Sequence, residues 1–185
     1  MREYFLMTKR LGFSHWKNDD IETAYSLWGD KNVTKYLSAS GMFTKEETEE
    51  RLKLEIENEK SYGMQYWPVF ELETGSFTGC CGLRPYRSEE KIYEIGFHLK
   101  PEHWGKGYGR EAAEGMIKYA FEKLEVEKLF AGHNPANAAS AKLLLKLGFI
   151  YTGDEYYEPT GLYHPSYIYE KKDYKETGGK EKWQS

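Results

Sequence analysis

Cysteine is scarce: the chain has two, Cys80 and Cys81, and they are adjacent. Neighbouring residues of a strand point to opposite faces and neither thiol has another to reach, so a disulfide framework is excluded. The CxxC and Cys/His spacings of zinc sites are absent, so no metal is expected. No run approaches the ~20 apolar residues that span a bilayer. Met1 to Lys9 carries too short an apolar run for a signal peptide. Positive charge is not in excess either: 26 Lys and Arg against 30 Asp and Glu leave −4. Such a chain is a poor candidate for broad binding to a phosphate backbone. The expectations are no nucleic acid, no membrane, and a reduced, cytoplasmic setting.

What is present suits one globular domain. The 185 residues are 39% hydrophobic and 30% charged, and a chain of this length buries roughly 70% of its unfolded surface. Thr8 to Trp16 reads as a first strand, and Asn18-Asp19-Asp20 supplies cap residues for a helix carrying Ile21, Ala24, Leu27 and Trp28. Thr44-Lys45-Glu46-Glu47 is a capping box opening a charged helix to about Lys60. Met64 to Leu72 is a strand whose Pro68 favours an edge or a bulge. Ser76 to Leu83 and Ile92 to Leu99 are further strands, separated by a turn at Arg87 to Lys91. A helical stripe runs from Gly107 to Leu124, Lys128 to Ala131 is a short strand, and Asn137 to Leu147 is a helix stopped by Gly148. Two last strands, Phe149 to Tyr157 and Tyr163 to Tyr169, flank Pro159-Thr160-Gly161. This order predicts a mixed α/β (α+β) sheet covered by helices. Residues 1–171 read as one domain and 172–185 as a polar, loose tail.

The most informative segment is Trp104-Gly105-Lys106-Gly107-Tyr108-Gly109-Arg110, where a strand runs in and a helix begins. Alternating glycines permit a tight turn with no side chain in the way, and the first helical N–H groups lack intrahelical acceptors. That combination suits a phosphate or pyrophosphate. A Walker loop is ruled out because Gly107, not Ser or Thr, follows Lys106. Gly107 to Ala112 fits G-x-G-x-x-A, but Gly132-His133-Asn134 stands where a dinucleotide fold needs an acidic residue.

The chain resembles the GNAT superfamily of acetyl-CoA-dependent N-acetyltransferases, in the RimJ/RimL-like branch, from about Thr8 to about Tyr169. The resemblance is carried by Thr8-Lys9-Arg10-Leu11, Asp30 to Leu37, Tyr93-Glu94-Ile95-Gly96-Phe97, Trp104 to Gly109, and Asn137-Ala138-Ala139-Ser140 followed by Leu147-Gly148-Phe149. Trp104 replaces the Gln or Arg of the general superfamily loop, as is usual in that branch. The resemblance implies a mostly antiparallel central sheet of about seven strands. It implies acetyl-CoA in a V-shaped gap between the strands holding Phe97 and Phe130, its pyrophosphate on the N–H groups of Gly105 to Arg110. Lys106 and Arg110 would add charge, with solvated surface positions as the alternative; the backbone of Phe97, His98 and Leu99 would hold the pantetheine and polarise the thioester carbonyl, and the Asn137 amide would fix the cofactor. Leu144 stands where many members carry a general-acid Tyr, which shifts that role to Ser140, with a hydrogen bond from Ser140 to the cofactor or the helix backbone as the alternative.

An attacking amine must be neutral, while a lysine-like amine has a pKa near ~10.4, so a base is required. Glu94, a carboxylate in mid-strand, is the first candidate, with a solvent-facing position as the alternative. Glu158, in the turn edging the expected acceptor site, is the second, with an ordinary turn residue as the alternative. His98 and His103 flank the loop and read as surface or cofactor-edge packing, with proton shuttling as the alternative. Tyr36, Phe43, Trp67, Tyr157 and Tyr163 either line an acceptor pocket or sit half buried. The partners expected are acetyl-CoA and an amine. The alternative class is a non-catalytic acyl-CoA-binding or sensory module, and a homodimer is left open.

Overall fold

The structure, a computed structural model, describes residues 2–174 and the backbone of residues 182–183. Its elements in chain order are β1 (Leu6–Met7), β2 (Leu11–Phe13), α1 (Ile21–Trp28), α2 (Lys31–Thr34), α3 (Lys45–Tyr62), β3 (Tyr66–Glu71), β4 (Phe77–Arg87) and β5 (Ile92–Leu99). Then come α4 (Tyr108–Glu122), β6 (Lys128–Gly132), α5 (Ala138–Leu147), β7 (Ile150–Tyr157), β8 (Leu162–Glu170) and β9 (Lys182–Trp183). They build one mixed sheet in the order β7-β8-β6-β5-β4-β3-β2-β1-β9. Every neighbouring pair is antiparallel except β5 with β6. The sheet has nine strands where about seven were expected, the surplus being the two-residue β1 and β9. Most of the expected C-terminal tail lies outside the described residues, but Lys182–Trp183 within it pairs with Leu6–Met7.

Strand alternation divides the apolar side chains between two cores. On one face Leu11, Phe13, Val69, Cys81, Leu83 and Ile95 pack under α4 and α5 against Ala112, Met116, Ala120 and Leu144. On the other, Cys80 and Tyr66 pack under α1 and α3 with Trp16, Leu27, Trp28 and Leu52. Cys80 and Cys81 therefore lie fully buried on opposite faces. Burial pushes the Cys80 thiol up to about 12, and raises Cys81 well above the ordinary thiol value, so both are inert packing residues.

Three local expectations change. The first strand is shorter than Thr8 to Trp16, and it folds back on β1. Asp20 does not cap α1 with its side chain; its carboxylate instead accepts the Lys17 N–H at 2.9 Å and pairs with Arg2. β3 is not an edge strand, because β2 and β4 flank it. Pro68 is tolerated since its missing N–H faces the end of β2, where Ser14 N–H already donates to the Pro68 carbonyl at 3.0 Å. The bulge expected there occurs one step on, between Val69 and Phe70. The Thr44–Glu47 capping box is present on both sides, and Gly63 closes α3 at φ 68°.

Candidate functional site

β5 and β6 pair in parallel only over Ile92–Glu94 and Lys128–Phe130, then separate. Beyond Glu94 no strand among the described residues covers this edge of β5. Lys100 N–H donates to Thr78 O at 2.9 Å on the β4 side. Alternation therefore aims the N–H and C=O of Phe97 and Leu99 into the gap. The Leu99 carbonyl is taken by the Trp104 indole N–H at 2.8 Å, which folds the following loop back over the strand end.

That loop crosses to α4 through Gly105 and Gly107, at φ 73° and 81°, conformations that side-chain-bearing residues rarely adopt. A Cβ at Gly105 would meet nothing within 4 Å, so its backbone faces open space. The first intrahelical bond runs from Glu111 N to Gly107 O, leaving the N–H groups of Tyr108, Gly109 and Arg110 without helical acceptors. Arg10 braces the loop: its Nη1 donates to Lys106 O at 3.0 Å and its Nε pairs with Glu111 at 2.6 Å. The loop thus offers free N–H donors at a helix N-terminus beside an open groove, which fits a diphosphate.

Two cavities meet at the gap. One of about 610 Å³ runs past Phe97, Leu99, Trp104, Gly105, Gly107 and Gly109 to Ala138 and Leu143. The other, of about 300 Å³, is lined by Arg51, Tyr66, Arg84, Tyr86, Glu94 and Phe130, with Glu155 and Tyr157 across from them. Tyr36, Leu37, Phe97, His98, Asn137 and Ser140 line both.

Glu94 lies on the smaller cavity, on the α3 face of β5. Burial raises its carboxyl above the ordinary value, and Arg84, Arg51 and a hydrogen bond with Tyr66 oppose that rise. Arg84 stands directly across from it in the β4–β5 register. The Arg84 guanidinium lies 4.3 Å over the Tyr66 ring and pairs with the fully buried Glu55; burial disfavours its charge, and the carboxylates of Glu55 and Glu94 outweigh that. Glu55 also takes Arg51 Nε at 3.2 Å. At the narrow end of the gap Tyr86 stacks on Phe130 with ring centroids 4.0 Å apart, and its hydroxyl donates to Glu155 at 2.5 Å.

Of the cofactor-site residues expected, the larger cavity brings together Phe97, His98, Leu99, Trp104, Gly105, Gly107, Tyr108, Gly109, Arg110, Asn137 and Ser140. Lys106 is the exception: only its carbonyl is engaged, and the residue is exposed off the cavity wall. Arg110 is drawn to Glu114 at 2.8 Å. The Tyr108 hydroxyl donates to Glu71 and so points away from the loop. Asn137 Oδ1 caps α5 by accepting Ser140 N–H at 3.2 Å, which leaves only its amide N–H groups for a ligand. Glu94 and Ser140 share the smaller cavity, but Glu158 does not join them: it is exposed in the β7–β8 turn, where water solvates its charge. Tyr36 and Tyr157 line cavity walls, whereas Trp67 is buried in the core, Phe43 is half-buried against the core under α1 and α3, and Tyr163 is exposed. Sequence reasoning missed Arg51, Arg84, Tyr86 and Glu155. Pairing the strands across the Arg87–Lys91 turn would have found Arg84 opposite Glu94.

Among the described residues no three His, Cys, Asp or Glu side chains gather as a metal site, and no helix is long and apolar enough to cross a membrane. The family model for an acetyltransferase (GNAT) domain matches residues 10–150. The uncharacterized protein YkkB of Bacillus subtilis (strain 168) is 32% identical over 173 residues, covering 91% of this chain and 96% of that protein. The uncharacterized N-acetyltransferase p20 of Bacillus licheniformis is 32% identical over 146 residues, covering 78% and 81%. The solved structure of RimL, a ribosomal L7/L12 alpha-N-protein acetyltransferase in complex with coenzyme A, superimposes with a TM-score of 0.77 at 14% identity, over 91% of this chain and 98% of that one. The splayed parallel pair, the loop at the start of α4 and these matches agree: the chain belongs to the GNAT acetyltransferase family, the acetyl-CoA-dependent acyltransferases.

Proposed function

We propose that this enzyme transfers acetyl from acetyl-CoA to a primary amine by direct attack on the thioester, the acceptor being a protein N-terminus, an amino acid, a polyamine or an aminoglycoside-like molecule. The observation that carries this reading is the meeting of two cavities at the splay of β5 and β6, one beside the glycine loop that opens α4 and one around Glu94. The coenzyme A held by RimL supports the choice of acyl donor.

The larger cavity binds the coenzyme through the N–H groups after Gly105, while the Phe97 backbone and the Asn137 amide orient the acyl arm. The thioester supplies an activated acyl carbon. The amine enters from the smaller cavity, where Glu94 takes its proton. The raised carboxyl makes Glu94 a better base than an exposed glutamate, because proton transfer improves as donor and acceptor pKa values approach. Ser140, which lines both cavities, gives its hydroxyl proton to the departing sulfur and is reprotonated from solvent. Leu144, only 2% exposed, takes no part in proton transfer there.

An acceptor screen with acetyl-CoA, read by mass spectrometry for a gain of one acetyl group and by thiol release, tests the reading. Transfer to at least one primary amine is expected. Tight coenzyme A binding with no thiol release from any amine would leave a non-catalytic acyl-CoA-binding module.

A further inference from the structure

His98 has no task in the scheme above, yet its surroundings define its protonation. Its Nδ1 lies 3.2 Å from the Trp28 indole Nε1. An indole N–H can only donate, so Nδ1 is the acceptor, and the single proton of a neutral imidazole must sit on Nε2. The Cys80 thiol lies 3.6 Å from the same Nδ1 and favours the same tautomer. Nε2 has no partner among the described residues and is not one of the polar atoms sealed from solvent, so it opens toward the cavities that His98 lines.

The ring is also kept uncharged. Trp28 faces it from α1, Arg51 from α3, Tyr66 from β3, Cys80 and Arg84 from β4, and Glu94 along its own strand. Burial and the two guanidinium groups hold the imidazole well below its ordinary value, and Glu55 pairs with those arginines rather than with His98. A neutral ring aimed at the junction has one capability: it donates a hydrogen bond without surrendering the proton.

We propose that His98, fixed by Trp28 as the Nε2–H tautomer, donates a hydrogen bond to the thioester carbonyl oxygen as negative charge builds on it. This role rests on the transfer reaction proposed above. The amine lone pair forms the new C–N bond while the carbonyl π pair moves onto oxygen. The C=O then re-forms as the C–S bond breaks, its electron pair leaving on sulfur. The nitrogen's proton goes to Glu94, and His98 keeps its own throughout. The Phe97 N–H lies in the plane of the sheet and His98 rises from the face toward α1, and both residues line both cavities. Fixed donors of this kind stabilise an oxyanion strongly where water is excluded.

The test compares the wild type with His98→Phe and His98→Gln at saturating acetyl-CoA. The Phe variant should lose about 100-fold in kcat with coenzyme A affinity within about threefold. Gln offers both an acceptor for the indole and a donor, and should recover at least about tenfold of that loss. Selective ¹⁵N-histidine NMR of the wild type needs no variant: it should show Nε2 protonated, Nδ1 bare, and no titration between about pH 5.5 and 8. A wild-type kcat in His98→Phe overturns the proposal while leaving acetyl transfer intact. An Nδ1–H tautomer or an imidazolium in that range overturns it too. A wild type that releases no thiol with any amine removes the transfer reading, and this role with it, whatever tautomer the spectrum reports.

Discussion

Glu55 Oε2 accepts the backbone N–H of Tyr66 at 2.9 Å in a position with no solvent exposure. The other carboxylate oxygen takes Arg51 and Arg84. One buried acid therefore ties α3 to the start of β3 and to β4, and it fixes the two guanidinium groups that frame Glu94.

Removing that acid should unfold the site. Glu55→Ala removes the buried ion-pair partner of Arg51 and Arg84, at a cost of about 3–5 kcal/mol. Urea denaturation followed by circular dichroism checks this. A loss below about 1 kcal/mol would show that the arginines find other partners.

The loop before α4 should tolerate change at Lys106 and not at Gly107. Gly107 sits at φ 81°, where a side chain costs roughly 1–2 kcal/mol. Gly107→Ala should therefore weaken coenzyme A binding by about tenfold by calorimetry. Lys106→Ala, whose side chain is off the cavity wall, should change it by less than about threefold.

Glu94 gives a prediction in pH. Its folded carboxyl holds its proton to higher pH than an ordinary glutamate, because burial disfavours the charge. Activity should rise with pH on an acidic limb lying above the usual carboxylate range, and Glu94→Gln should abolish both the limb and most of the rate. The same shift has a stability consequence of opposite sense. The folded state binds the proton more tightly than the unfolded chain, so the stability it contributes is full below the unfolded value and is lost as pH rises through the folded one. Glu94→Gln should accordingly gain on the wild type in denaturation midpoint between acid and neutral pH.

The acids on the β7–β8 hairpin should separate. Glu158→Gln, at an exposed turn, should leave kcat/KM within about twofold. Glu155→Gln weakens the charge-assisted bond from Tyr86 and should raise the acceptor KM by several-fold, on the order of 1 kcal/mol. Equal effects in initial-rate assays would contradict the placement of the two residues.

Much of this was readable from the chain because local rules carried it. The Thr44 box, the glycine at 148 and the glycines at 105 and 107 each act through their own backbone, and each is where its chemistry requires. β5 matched its expected bounds from Ile92 to Leu99 because β-branched and aromatic residues fill it between a turn and a proline. What was not readable depended on partners distant in sequence. Asp20 looks like a cap until Arg2 arrives from a separate segment. Pro68 looks like an edge residue until β2 is seen to end beside it. Arg51 and Arg84 look like surface charges, because the acid that buries them lies on another element for Arg84 and faces inward for Arg51. Glu158 and Glu155 differ by three positions, and only the pleat of β7 and the reach of Tyr86 tell them apart.

The short ladder between Ile92–Glu94 and Lys128–Phe130 also bears on resilience. Where hydrogen bonding stops, the molecule has a seam: β1 to β5 on one bank, β6 to β8 on the other, with few backbone bonds stitching them. A coenzyme wedged there becomes a cross-brace, and mass action alone would add about 2.7 kcal/mol at a ligand concentration 100 times its dissociation constant. Amide exchange should accordingly slow on both banks together when coenzyme A is added, making the acyl donor a structural keystone as well as a reactant.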